Sequence, residues 1–297
     1  MGFFDAIKGL FKSGPKKPAG EKLVIVDIDK RFELIGRTGQ GSMSKVWRAR
    51  DRKIGRTVCL KVLDKEKTAK FEARFLGLKR PSEGAICAGL KHKNVVQTFE
   101  YGLTTKKEMF LVMELIEGVG MNFLVETQGK QLQGHRIDYL AQLAEALEYI
   151  HRQGFIHRDI CPRNVMINTE GLVKLIDFGL TIPSKPEFLR PGNRTGTTDY
   201  LAPELIARRT TDARVDLFAL GVTAYEVYTG MLPWEKGTSQ ETLHKHLNMA
   251  GRDPHDSKPD LDKPTADFLR KAIERDPALR FQTAGEFREA LLRLPKA

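Results

Sequence analysis

A lysine inside an apolar run is the first residue that asks for chemistry. Lys61 sits in VCLKVL, and removing its charge from water without an anionic partner is costly. The other reading is a lysine on an edge strand that reaches water. Upstream lies GQGSMSKV, Gly39 to Val46, between two strand-like runs. Its glycines let backbone turn tightly and approach a ligand, so backbone N–H groups can meet a phosphate. A glycine-rich hairpin also serves simply as a turn. Further along, FIHRDICPRNVMI holds His157-Arg158-Asp159 and Asn164, and VKLIDFGL brings Asp177-Phe178-Gly179. TGTTDYLAPEL ends in Ala202-Pro203-Glu204, DLFALG carries Asp216, and DPALRF carries Arg280.

In this order and at these spacings the segments resemble the protein kinase family, and the resemblance covers roughly residues 31–293. It implies an α+β, two-lobed protein-kinase fold. A small β-rich N-lobe with one regulatory helix would span about 21–117, and a larger, mostly helical C-lobe about 118–295. The implied activity is transfer of the γ-phosphoryl group of ATP, with Mg²⁺, to protein hydroxyls. Such chemistry leaves the protein mainly positioning and charge stabilisation to supply. Gly39 and Gly41 would fold over the phosphates, with Ser44 and Val46 beside them. Lys61 would hold the α and β phosphates while paired with Glu83, which precedes His92 by the family's usual interval. Asp159 would accept or orient the substrate hydroxyl proton. Asn164 and Asp177 would hold Mg²⁺, oxygen ligands suiting a hard cation. Met113 would gate the adenine pocket, Cys59 would lie above the base, and the backbone of Glu114 and Ile116 would read its edge. Glu204 with Arg280, and Asp216, resemble structural ties. Pro162 and the GTTDYLAPE segment resemble the serine/threonine branch, in which Thr197 would face the catalytic loop.

Three positions depart from the family's pattern. The third glycine of the phosphate loop is Ser44. The lysine expected two residues after Asp159 is Cys161, while Arg163 stands where a guanidinium could replace it with a planar fork for phosphate oxygens. The segment FLGLKRPSEGAICAGLKH carries extra residues and places Pro81 just before Glu83. Proline is tolerated in a first helical turn, so Glu83 is expected to open a short, separate helix. Gly77, Gly84 and Gly89 make that helix intrinsically weak. Ser44 and Cys161 are also what would support the alternative, a pseudokinase acting as a nucleotide-binding signalling scaffold. Phosphorylation of Thr195 or Thr198, docked on Arg158, is a further expectation.

The elements that must position these residues are legible as pattern. Strand-like runs dominate from about residue 31: RFELIGR, SKVWRARD, TVCLKVLD, VVQTFEYG and MFLVMEL, interrupted by one helical stretch around 66–90. From about 122 the chain turns helical, and IDYLAQLAEALEYIHR, VDLFALGVTAYEVYTG and AGEFREALLRL read as amphipathic. Strands first and helices afterwards suggest two lobes with a cleft between them and a hinge near Glu114–Gly118. His244 and His246 read as surface residues. The 297 residues can bury a core, with 41% hydrophobic and 29% charged residues. No run approaches the length of a membrane span. Three scattered cysteines argue against a disulfide framework and for a reducing compartment, so the expectation is a cytoplasmic protein. Its net charge of +11 reads first as a solvated basic surface; it would also raise encounter rates with anionic partners and points to no specific nucleic acid.

Residues 1–12 place Phe3, Phe4, Ile7, Leu10 and Phe11 on one helical face with Lys8 and Lys12 nearby, and residues up to about 20 read as a linker. Such a leader suits an anionic membrane surface. It equally suits a groove on its own domain or on a partner.

Overall fold

The alternating runs of the first third pair into one twisted sheet. The computed structural model describes residues 23–41, 44–192 and 194–295, so the leader lies outside the described residues. Strands β1 (Val24–Val26), β2 (Phe32–Gly41), β3 (Ser44–Asp51), β4 (Arg56–Leu63), β5 (Thr98–Thr104) and β6 (Met109–Met113) form a sheet in the order β1-β5-β6-β4-β3-β2. Neighbours are antiparallel except β1 on β5, which run parallel. A short helix, α1 (Ile28–Arg31), links β1 to β2. Its Arg31 makes paired bonds to Asp51 and to Glu100, tying the sheet's two halves. Val26, Phe32, Ala49, Val58, Leu60, Phe110 and Val112 bury one face as a separate small core.

The helical stretch expected around 66–90 is divided. Helix α2 (Lys65–Glu72) opens on Asp64, whose side chain accepts from the Lys67 N–H. A 3₁₀ turn at Ala73–Phe75 follows, and a loop leads to helix α3 (Glu83–Gly89). Ser82 caps α3 by accepting from Ala85 N at 3.2 Å, in the preferred geometry for a helix start. Glu83 therefore does open its own short helix.

After β6 the chain crosses into β7 (Gly118–Gly120) and the helical lobe. This contains α4 (Met121–Thr127), α5 (Arg136–Arg152), α6 (Pro203–Ile206), α7 (Arg214–Thr229), α8 (Ser239–Asn248), α9 (Pro254–Ser257), α10 (Lys263–Ala272) and α11 (Ala284–Leu292). Two small sheets lie in this lobe: β9 (Val165–Asn168) between β7 and β10 (Val173–Leu175), and β8 (Phe155–Ile156) with β11 (Ile182–Pro183). The helix α5 buries Tyr139, Leu140, Leu143, Ala144, Leu147 and Ile150 along one stripe, as its helical periodicity requires.

Two expectations need correcting. The helix α7 is not amphipathic: every residue from Val215 to Tyr225 is buried. A helix enclosed on all sides has no solvent face to signal. His246, read as a surface residue, is 1% exposed. Its Nδ1 lies 2.9 Å from Leu201 O, and its ring sits 4.1 Å from that of Trp234. The two-lobed α+β architecture itself is as expected.

Candidate active site

Lys61 occupies the middle of β4, paired with Val46 of β3 and Leu111 of β6. The strand is interior to the sheet, so the edge-strand reading of this lysine fails. Its Nζ donates to Glu83 Oε1 at 2.6 Å and to Asp177 Oδ1 at 2.9 Å. Burial pulls the ammonium's pKa down, but Asp177 and Glu83 outweigh it and the net direction is up, so Lys61 is firmly charged. For Asp177, burial is outweighed by Lys61 and by the Gly179 N–H, which donates at 2.9 Å, and its pKa is held low. Glu83, enclosed more completely, is pushed upward by burial despite Lys61. One ammonium thus joins a sheet strand, the helix α3 and the Asp177-Phe178-Gly179 turn.

The catalytic-loop candidates are held by hydrogen bonds on several sides. Asn164 Nδ2 donates to both the backbone oxygen and Oδ2 of Asp159, each at 2.8 Å. Thr197 donates to Asp159 Oδ1 from its N–H at 2.9 Å and from its hydroxyl at 2.8 Å. Both carboxylate oxygens are therefore oriented. Beneath the loop, Asp216 accepts from His157 N at 2.8 Å and Arg158 N at 2.7 Å, and its Oδ2 lies 2.9 Å from His151 Nε2. The tie permits Arg158 to hold φ +69, an uncommon conformation for a side chain of this size. Phe178 is buried with its ring 5.0 Å from that of His157.

A cleft of about 930 Å³ between the lobes gathers most of the remaining candidates. Ser44, Val46, Cys59, Met113, Glu114 and Ile116 line it from the sheet and the crossing segment. Asp159, Arg163, Asn164 and Asp177 line it from below. Gly39 and Gly41 end β2 opposite Val46 and Ser44, while residues 42–43 at the tip lie outside the described residues. Glu114 N donates to Gln97 O at 2.9 Å, and its side chain accepts from Lys174 Nζ at 2.7 Å. The crossing segment is thereby anchored to both lobes. Cys161 is buried, its Sγ 3.9 Å from Thr197 Oγ1. Burial and then Asp159 push its thiol up to about 11, leaving it poorly nucleophilic. Arg163 is exposed at the cleft's rim.

Other residues at the site went unnoticed in the sequence. Val96, Met166 and Ile176 line the cleft, and the last two flank motif residues closely enough to have been suspected. Arg80 is different. It comes from the loop before α3, and its guanidinium donates to the backbone oxygens of Gly179 and Thr181. Nothing local in the sequence marks that contact.

A family model described as protein kinase domain matches residues 32–291. The chain is 32% identical over 262 residues to a probable serine/threonine-protein kinase of Clostridium perfringens, covering 87% of this chain and 37% of that protein. It is 30% identical over 274 residues to the serine/threonine-protein kinase PknA of Mycobacterium tuberculosis, covering 90% and 62%. Against PknB of the same species it is 31% identical over 273 residues, covering 90% and 43%. The chain therefore spans less than two thirds of the length of these relatives. A family model matched across both lobes, over a cleft that gathers the motif residues, shows that the chain belongs to the protein kinase family, in its bacterial serine/threonine branch.

Proposed function

We propose that the chain transfers the γ-phosphoryl group of ATP, with Mg²⁺, to serine or threonine hydroxyls of protein substrates. The observation that carries this reading is the closed Lys61–Glu83 pair at 2.6 Å, formed while Asp177 also meets Lys61 at 2.9 Å. Both contacts belong to an assembled phosphoryl-transfer site.

The donor set suits the two ligands. Asn164 commits its amide nitrogen to Asp159, so its Oδ1, with the Asp177 carboxylate, is left for a hard cation. Among the described residues no cluster of three or more His, Cys, Asp or Glu side chains could hold a metal. A site with few protein ligands is what Mg²⁺ accepts, since water and phosphate oxygens complete its octahedron. Bound there, the ion would neutralise charge on the phosphates. The lysine would hold the phosphates from above. The oriented carboxylate of Asp159 would align the attacking hydroxyl and receive its proton. Thr197, bonded to that carboxylate, supports the serine/threonine assignment. The Glu114 carbonyl and the Ile116 amide would read the adenine edge.

Transfer from radiolabelled ATP to a generic basic protein tests the reading. The intact chain is expected to transfer, and Asp159→Asn to lose about 10²–10⁴ in rate with nucleotide binding intact. Asp177→Ala is expected to lose both transfer and Mg²⁺-dependent nucleotide binding. Nucleotide binding without any transfer by the unaltered chain would favour the scaffold alternative instead.

A further inference from the structure

Residues 75–82, before α3, lie in the segment that departs from the family's pattern, and Arg80 is partly buried among them. Arg80 Nε and Nη2 converge on Thr181 O at 3.0 and 2.8 Å, and Nη2 also reaches Gly179 O at 3.1 Å. The guanidinium lies over the rings of Phe71 and Phe75, at 4.8 and 5.8 Å from their centroids. Those rings meet edge to face at 5.3 Å. The last turn of α2 and the following 3₁₀ turn thus build a seat for one flat cation. Its hydrogen bonds go to carbonyl oxygens of the chain that follows Asp177. Two N–H groups on one rigid plane make this grip, which a single ammonium on a flexible stem reproduces poorly.

The two ends of the short stretch Arg80-Pro81-Ser82-Glu83 hold opposite sides of one turn. Pro81 restricts its own φ and the conformation of Arg80. Ser82 caps α3, and Glu83 begins it. A Cβ placed on Gly179 would lie 3.3 Å from Asp177 Oδ1 and 3.4 Å from Glu83 Oε2. Glu83 therefore packs on one side of the glycine while Arg80 binds its carbonyl. Farther along, Phe75 meets Phe188 at 5.9 Å, extending the same contact down the segment that follows Gly179.

We propose that Arg80 is a positioning residue for the Asp177–Gly179 turn. It locks the turn to the start of α3, so that the Lys61–Glu83 pair and the placement of Asp177 form or break together. The inference rests on the kinase reading for its functional meaning. Displacing α3 outward removes Glu83 from Lys61 and Arg80 from Gly179 in one motion. Releasing the turn removes what holds α3 inward.

The test compares the full chain with Arg80→Met and Arg80→Lys by three measurements. These are melting temperature without nucleotide, affinity for a fluorescent ATP analogue across a Mg²⁺ titration, and kcat with KM for ATP. Losing charge-assisted bonds at the turn is expected to lower Mg²⁺-dependent affinity and kcat on the order of tenfold or more. Affinity without Mg²⁺ should stay close to that of the intact chain, and Arg80→Lys should recover only the smaller part. A lower melting temperature with unchanged Mg²⁺ dependence and kcat would overturn the proposal and leave Arg80 as packing alone. Should Arg80→Met fail to fold, Arg80→Lys carries the same comparison, and an unchanged Mg²⁺ titration for it overturns the proposal. The Mg²⁺ titration reads the clamp even if the intact chain transfers nothing, so failure of the kinase reading and failure of the clamp are separate results.

Discussion

Under the proposed function, Arg163 and Cys161 would decide how the transferred phosphate is stabilised. The lysine that the family's pattern leads one to expect two residues after Asp159 would supply the positive charge. Here that position is a buried thiol with its pKa pushed up to about 11, which provides no charge at neutral pH. Arg163 is exposed and lines the same cleft as Asp159 and Asn164, where its guanidinium would be available to a bound phosphate. Arg163→Ala is expected to lower kcat by about 10²–10³, the usual cost of one stabiliser of developing charge. Cys161→Lys in that background should restore part of the loss, because Cys161 also lines the cleft. Steady-state kinetics on the three proteins checks this, and unchanged turnover in Arg163→Ala would refute the compensation. At this scale only the geometry distinguishes Arg163, exposed at the rim, from Cys161, buried beside it.

The helix α3 shows where propensity and packing oppose each other. Its Gly84 and Gly89 both weaken a helix by about 1 kcal/mol relative to alanine, and the sequence offers no way to rank them. In the structure a Cβ on Gly84 would lie 2.6 Å from Tyr101 Cδ2 and 2.8 Å from Tyr101 Cβ on strand β5. The atoms in the way are near the ring's root, so they have little freedom to move aside. A Cβ on Gly89 meets nothing within 4 Å. Gly84→Ala is therefore expected to push α3 off the sheet, separate Glu83 from Lys61, and lower turnover about tenfold or more, since each 1.4 kcal/mol is a factor of ten. Gly89→Ala should keep activity and gain roughly 0.5–1 kcal/mol of stability. Melting curves with turnover assays on both variants provide the check. A fully active Gly84→Ala would show that α3 is less tightly constrained than the packing demands.

At the scale of the whole molecule, a buried ion pair joins segments far apart in the chain. Arg280 is fully buried and forms a two-bond fork with Glu204, both contacts at 2.8 Å. It also donates to the backbone oxygens of Arg214, Glu274 and Arg275, and stacks over Phe218 at 4.8 Å. This pair fastens the end of the segment carrying Thr197 to the lower helices. Removing one partner from a buried pair leaves an uncompensated charge and costs about 3–5 kcal/mol. Glu204→Gln should lower the melting temperature by roughly ten degrees for a domain of this size, as read by circular dichroism or calorimetry. A shift of only a degree or two would mean that the three carbonyls suffice to hold Arg280.

The sequence by itself determined the family, a strand-rich part followed by a helix-rich one, and the separate start of α3 at Glu83. Those features are written in local signals: motif spacing, alternation, and a proline ahead of a helix. It also placed α5 and α11 to within a residue or two, because each keeps a polar face against water. Only the tertiary structure decided that α7 is buried on every side and that His246 lies beneath Trp234. It alone brought Arg80 to the carbonyls of Gly179 and Thr181, about a hundred residues away. Periodicity records which face of an element turns away from water, whereas burial from a second direction and a long-range hydrogen bond depend on which neighbour arrives. That choice is made only when the elements pack together.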